Sequence, residues 1–337
     1  MKLQLRGHLD SGVGIEVEHD VAAMRSSVRR SRKSDLRAGD IKHGFRILSR
    51  LGKNPDRGVF LAAHAQRGDL VVLKHACRTS ADGSFDRILR EHEVLSGLSD
   101  AAIRPALRIH RGRDGLRTTE LTMVARFVDA SDLGELTETD LATVLDAAVA
   151  VSNGLAHAHE CDIVHGRIEP GHILREPGGG IKLIGFGSGA KAGSNFDPGQ
   201  VGTGFVAPEC HLGGVATGRT DIFGLAATVW EILGDSSLEV GHEEDLDADG
   251  WLARHRSWTA RLEDSNLPAE LTALLARCLH PDPLRRPGFI QGVGSSLQRI
   301  SHEFDRRSSM KIGLDSSSPG MADGPSSAPG SRSDRAA

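Results

Sequence analysis

The rhythm of apolar and polar positions changes near residue 130. Ahead of that point lie short apolar runs at 45–48, 59–63, 70–73 and 121–124, separated by turn-forming residues such as Asn54-Pro55 and Arg67-Gly68-Asp69. Runs of this kind predict strands of an antiparallel sheet. One helix interrupts them. Phe85, Ile88, Leu89, His92 and Leu95 recur at three- and four-residue spacing and fall on one face.

Beyond residue 130 the pattern is mostly helical. Leu141, Val144, Leu145, Ala148, Val151 and Leu155 form one stripe, and Thr137-x-x-Asp140 ahead of it has the form of a capping box. Residues 221–233 are apolar nearly all round, which predicts a helix buried within its lobe. Leu271, Leu274, Leu275, Cys278 and Leu279 make another stripe, ended by Pro281. The expected architecture is α+β: a small antiparallel β lobe with one helix over 41–126, then a larger mainly helical lobe over 127–300.

The flanks differ in character. Residues 1–40 are polar, with a basic run at 25–37 that reads as a solvated linker or a docking segment. Residues 301–337 end in a Ser/Pro/Gly-rich stretch. It cannot bury enough apolar area to offset the entropy of ordering it, so it is expected to be a disordered tail.

Composition narrows the class. An apolar fraction of 39% in 337 residues can bury one large core or two smaller ones. A net charge of −4 calls for neither nucleic acid nor a membrane surface. No apolar run reaches the roughly 18 residues needed to span a bilayer, and the first residues lack a signal-peptide core. The expectation is a soluble cytoplasmic protein. Cys77, Cys161, Cys210 and Cys278 lie far apart without C-x-x-C spacing, and read as buried thiols rather than a disulfide or zinc framework. The chain has no tyrosine, which excludes tyrosine autophosphorylation.

Several ordered motifs over 41–300 resemble the eukaryotic-like Ser/Thr protein kinase family. Val71-Val72-Leu73-Lys74 is similar to the V-A-I-K strand, and Glu91 stands where the family has the lysine's glutamate partner. The stretch from His165-Gly166-Arg167-Ile168-Glu169-Pro170 to His172-Ile173-Leu174 aligns with H-R-D-L-K-P-x-N-I-L. Gly185-Phe186-Gly187 aligns with D-F-G, and Ala207-Pro208-Glu209 is A-P-E intact. Asp221 and Arg286 match the family's structural aspartate and the arginine that pairs with the A-P-E glutamate. The resemblance implies the two-lobed protein-kinase-like fold. It implies nucleotide-contacting positions at Gly52, Val59, Val72, Lys74, Glu91 and Leu174, and structural roles for Leu95, His165, Phe186, Glu209, Asp221 and Arg286.

The same alignment finds the reactive positions replaced. Phosphoryl transfer needs metal ions to neutralise the triphosphate and a carboxylate to orient the attacking hydroxyl. The two metal-ligand positions are Gly185 and His172, and a lone imidazole suits hard Mg²⁺ poorly. Arg167 replaces the catalytic aspartate and cannot accept a proton. Glu169 replaces the lysine that contacts the transferred phosphate and would repel it. These opposite charges can satisfy each other.

The phosphate-covering loop keeps Gly52 but has Asn54 and Arg57 for the next glycines, Pro55 without an N–H and Asp56 with the wrong sign, although Gly58 allows a shifted alignment. Val72 narrows the adenine pocket. The segment Gly202-Thr203-Gly204-Phe205 before Val206-Ala207 is one residue short of the family pattern. The expected function is a pseudokinase with no intact catalytic residue and no metal, acting on another protein, an active kinase or its substrate, as scaffold or allosteric regulator. ATP without metal is the only cofactor in view. The alternative is an atypical ATP-binding Ser/Thr protein kinase.

Overall fold

Ile41–Lys42 (β1) and Phe45–Arg50 (β2) form a hairpin around His43 and Gly44, whose φ angles of 52° and 83° suit a two-residue turn that follows the twist of the strands. This computed structural model describes residues 36–51, 58–78, 83–136, 140–195, 205–234 and 247–315. Gly58–His64 (β3) and Leu70–Cys77 (β4) follow, then the helix Ser84–Ser96 (α1), then Ala106–Asp114 (β5) and Arg117–Arg126 (β6). They make a six-stranded antiparallel sheet in the order β1-β2-β3-β4-β6-β5.

The sheet separates two apolar layers because side chains alternate faces along a strand. Ile47, Phe60, Val71, Leu73 and Val124 pack on one face. Ala76, Leu121 and Met123 pack on the other against Phe85 and Ile88 of α1. The buried face of α1 is Phe85, Ile88, Glu91 and Leu95, so a carboxylate takes the place expected for His92, which is only half buried. The apolar pattern passed over β5 because it is an edge strand with mostly polar, half-exposed residues.

The larger lobe begins with Ser131–Asp132 (β7) and the helix Leu141–Glu160 (α2). Asp140 itself caps α2, its Oδ1 accepting from Thr143 N–H at 2.6 Å. The expected box put the cap one turn earlier, at Thr137, which lies outside the described residues. Contrary to expectation, α2 is long and apolar enough to cross a bilayer by length and composition. Here half of that window is buried, packed against later helices.

Short strands Ile163–Val164 (β8), Ile173–Arg175 (β9), Ile181–Leu183 (β10) and Ala190–Lys191 (β11) frame the loops that matter chemically. The helices Pro208–His211 (α3), Gly218–Leu233 (α4), Ala248–Glu263 (α5), Ala269–Cys278 (α6) and Ile290–Asp315 (α7) complete the lobe. α4 is buried continuously from Thr220 to Trp230 and starts at a capping box of Thr217 and Thr220. α5 was not foreseen. Its buried side is Trp251, Trp258 and Leu262, seven and four residues apart among charged neighbours.

Two expectations are corrected here. Order does not end at residue 300: α7 runs to Asp315, with Ile290, Val293, Leu297, Ile300 and Ser301 buried at helical spacing. Residues 316–337 lie outside the described residues. The cysteines are not uniformly buried either: Cys210 and Cys278 are, Cys77 is half-buried and Cys161 is exposed.

The helical lobe is tied together by Arg286, whose guanidinium is fully spent. Nη1 and Nη2 donate to the Glu209 carboxylate at 2.9 and 2.8 Å, and the remaining N–H groups reach the carbonyls of His280, Arg219 and Pro281 at 2.6, 3.0 and 3.0 Å. Arg286 is 3% exposed and lies over the Phe223 ring. Removing one partner of a buried pair strands the other's charge. Arg286→Ala is therefore expected to lower unfolding free energy by about 3–5 kcal/mol in urea titrations, with Arg286→Lys recovering only part because a point charge cannot serve carbonyls and carboxylate together.

Candidate functional site

Lys74 on β4 points to the face that carries α1, and its Nζ lies 2.6 and 2.5 Å from the two carboxylate oxygens of Glu91. Burial opposes ionising Glu91, but the Lys74 ammonium and then the Arg104 guanidinium outweigh it and hold the carboxyl below its usual range. Pairing places Val59 opposite Lys74, with Val72 two residues along the same face, beside Ala125 of β6. Leu174 sits half-buried on β9, and Gly52 lies outside the described residues.

The loop 165–172 is held from below by Asp221, which is 1% exposed. Its Oδ2 accepts the His165 N–H at 2.8 Å and its Oδ1 the Gly166 N–H at 2.7 Å, while His159 Nε2 donates to Oδ2 at 2.8 Å. Gly166 has φ 76°, which glycine alone adopts freely. The His165 ring donates from Nε2 to the Ile184 carbonyl at 3.0 Å and accepts the Arg167 N–H at Nδ1 at 3.2 Å, so the network assigns the neutral tautomer. Burial lowers its pKa in keeping with that. Phe186 stacks edge-on against it at 4.5 Å and is fully buried.

The inverted charges on the loop meet. Arg167 Nε donates to Glu169 Oε2 at 3.0 Å, so neither faces the cleft unpaired. His172 Nδ1 lies 2.9 Å from the Arg167 carbonyl and donates to it. Its Nε2 stands 3.3 Å from Glu169 Oε1. Burial pushes the His172 pKa down to about 4, so at neutral pH the ring is uncharged.

The decisive contact is between His172 and Gly185. Gly185 has φ 94°, and a Cβ built on it would lie 2.7 Å from His172 Nε2 and Cδ2. The imidazole occupies the place where a side chain at 185 would begin. A hard divalent ion asks for oxygens. Gly185 supplies none, His172 presents one nitrogen, Glu169 is paired with Arg167 and Glu91 with Lys74. Lys74, Glu91, Arg167, His172 and Gly185 line one pocket of about 120 Å³ within the cleft. Among the described residues, the donors around Gly185 and His172 do not suit a hard divalent ion bound to triphosphate. A larger groove of about 610 Å³, lined by Arg90, Glu93, Cys161, Ser188 and Lys191, lies further along α1 and includes no residue of the 165–172 loop.

Two contributors escaped the sequence reading. Arg104, 5% exposed beside Glu91, follows Ile103 in a loop with no periodicity to flag it; its Nε has no hydrogen-bond partner among the described residues. His159 sits on the last turn of α2, and only the docking of α2 on α4 brings it to Asp221.

Comparison with known proteins agrees with this fold. A family model for the protein kinase domain matches residues 45–297. The chain is 25% identical over 202 residues to "Serine/threonine-protein kinase 12" of Arabidopsis thaliana, covering 56% of this chain and 44% of that protein. It is 24% identical over 292 residues to "Serine/threonine-protein kinase pkn3" of Myxococcus xanthus, covering 80% of this chain and 52% of that one. It is 31% identical over 221 residues to "Serine/threonine-protein kinase PknF" of Mycobacterium tuberculosis, covering 59% and 44%. The chain thus spans about half the length, or less, of these curated relatives.

Gly185→Asp should destabilise the fold by about 2–4 kcal/mol through its φ and the clash with His172. His172→Asn in the same chain should restore about 1 kcal/mol or more, read as a coupling energy in a double-mutant cycle.

Acid should weaken the fold in a defined window. The unfolded chain takes up a proton at His172 near pH 6.5 while the folded ring resists until about 4. Stability is therefore intact above the first value and lost toward the second. Between pH 7 and 5 the wild type should lose about 2 kcal/mol more than His172→Asn, as measured by urea titration at each pH.

Proposed function

The chain belongs to the protein kinase family, and on that premise we propose that it works as a kinase-fold binding module that transfers no phosphate, a scaffold or allosteric regulator of another protein. What carries the reading is the His172 ring lying against Gly185: both metal-ligand positions are given over to packing. The Arg167–Glu169 pair supports it, because a positive group stands at the proton acceptor's position and a negative one at the phosphate's contact. The retained framework supports a role for the fold itself. Lys74–Glu91, Asp221 with the loop it holds, and Glu209–Arg286 are all in place and satisfied. Such a framework presents fixed surfaces to a protein partner, and an active kinase or its substrate is the partner this reading favours.

The Lys74–Glu91 pair favours one refinement, a nucleotide held without metal. Lys74 already has its glutamate partner, so a phosphate would share that ammonium rather than find it free. The experiment combines transfer of radiolabelled γ-phosphate, in Mg²⁺ and in Mn²⁺, with thermal denaturation in ATP with and without EDTA. The expected result is no transfer above the level of Lys74→Ala. A rise in melting temperature that EDTA leaves unchanged would place a metal-free nucleotide in the cleft. Robust autophosphorylation that disappears in Lys74→Ala would overturn the proposal in favour of an atypical Ser/Thr kinase.

A further inference from the structure

The small lobe carries a second cluster of chemically capable side chains, on the sheet face opposite Lys74. Strand pairing sets His75 of β4, Thr122 of β6 and His110 of β5 in one row, and Cys77, Glu120 and Gly112 in another row two residues along. Paired residues share a face and alternate residues return to it, so both rows lie on one side of the sheet.

Within the cluster the side chains are arranged about a common point. His75 Nδ1 is 2.9 Å from Thr122 Oγ1, which leaves Nε2 toward Cys77 Sγ at 4.0 Å. Gly112 makes room for Glu120: a Cβ there would lie 2.2 Å from Glu120 Cγ. The ligand atoms of His75, Cys77 and Glu120 lie within 4.8 Å of one another. The β1–β2 hairpin folds over this end of the sheet. Lys42 Nζ donates to Glu120 Oε1 at 2.8 Å, and the His43 ring stacks on His110 at 4.3 Å with planes 4° apart. His110 Nε2 is buried there without a hydrogen-bond partner among the described residues.

We propose that His75 Nε2, the Cys77 thiolate and the Glu120 carboxylate bind a divalent transition-metal ion of the zinc class under the β1–β2 hairpin, with water as fourth ligand. Nitrogen, sulfur and carboxylate oxygen are the donors zinc takes, at about 2.0–2.3 Å in a tetrahedron. Ligand atoms around such an ion stand about 3.3–3.8 Å apart, so the side chains need close only slightly. Thr122 Oγ1 can accept from the His75 Nδ1–H, the outer partner that a metal-bound imidazole requires.

The charges balance. The Cys77 thiol releases its proton to solvent, the Lys42 ammonium gives up the Glu120 carboxylate, and the two negative ligands match the ion. Magnesium and calcium, which take oxygen, are excluded by the donor set. The ion would fasten β6 to β4, the strand that carries Lys74 one residue before His75.

Cobalt(II) titration of the metal-free full chain tests this. One equivalent should produce a thiolate-to-cobalt charge-transfer absorption and raise the melting temperature, and Zn²⁺ should displace it. Cys77→Ser should abolish the absorption, Cys161→Ser should leave it intact, and Glu120→Gln should weaken cobalt binding about ten-fold or more. No absorption at one equivalent, or one that survives Cys77→Ser, would mean an adventitious ion only and overturn the proposal. Should Cys77→Ser not fold, Glu120→Gln decides: unchanged affinity there overturns it equally.

Discussion

The buried carboxylate of Asp221 is the constraint from which the site follows. A charge at 1% exposure is stable only if its oxygens are filled, and Asp221 fills them with the N–H groups of His165 and Gly166 and the imidazole of His159. The loop cannot move off without stranding that charge. Its remaining residues are then presented at fixed positions. His165 is wedged between Phe186 and the Ile184 carbonyl, Arg167 is turned onto Glu169, and His172 is directed to Gly185. Asp221 is itself fixed because α4 is buried along its length and capped at Thr217.

On that rigid loop the unusual residues form a self-consistent set. His172 needs Gly185, because any Cβ there would meet its ring. Arg167 needs Glu169, because a half-buried guanidinium left without its carboxylate would cost more than the pair contributes. The inverted charges of the loop have each other as counter-ions, Arg167 with Glu169, and Lys74 keeps its Glu91 partner. Packing and polar satisfaction within the fold account for these residues, and the Lys74–Glu91 and Glu209–Arg286 pairs stay in place beside them.

Much of this was legible in the chain. The strands β2, β3, β4 and β6 and the helices α1, α2, α4 and α6 announced themselves by period. The ordered motifs pair Lys74 with Glu91 and Glu209 with Arg286. What escaped shares a cause. β5 is a polar edge strand, α5 hides Trp251 and Trp258 among charges, and α7 continues into a stretch whose later composition suggests disorder. In each, the buried side is too sparse to dominate a local window, and neighbours that complete it come from far along the chain. His92 was assigned to the face of α1 that Glu91 takes, because periodicity cannot anticipate a carboxylate buried by Lys74.

By itself the sequence determined the two-lobed class, the family, and which reactive residue types are missing, because those depend on period and on motif order. Only the tertiary structure decided how the replacements behave. That the His172 ring fills the space at Gly185 depends on a backbone φ of 94° and a contact of 2.7 Å. That His75, Cys77 and Glu120 converge depends on the register of β4 against β6, which carries Glu120 across from Cys77. Distances of this kind are set by strand pairing and loop closure between segments remote in sequence, and no local pattern of residues encodes them.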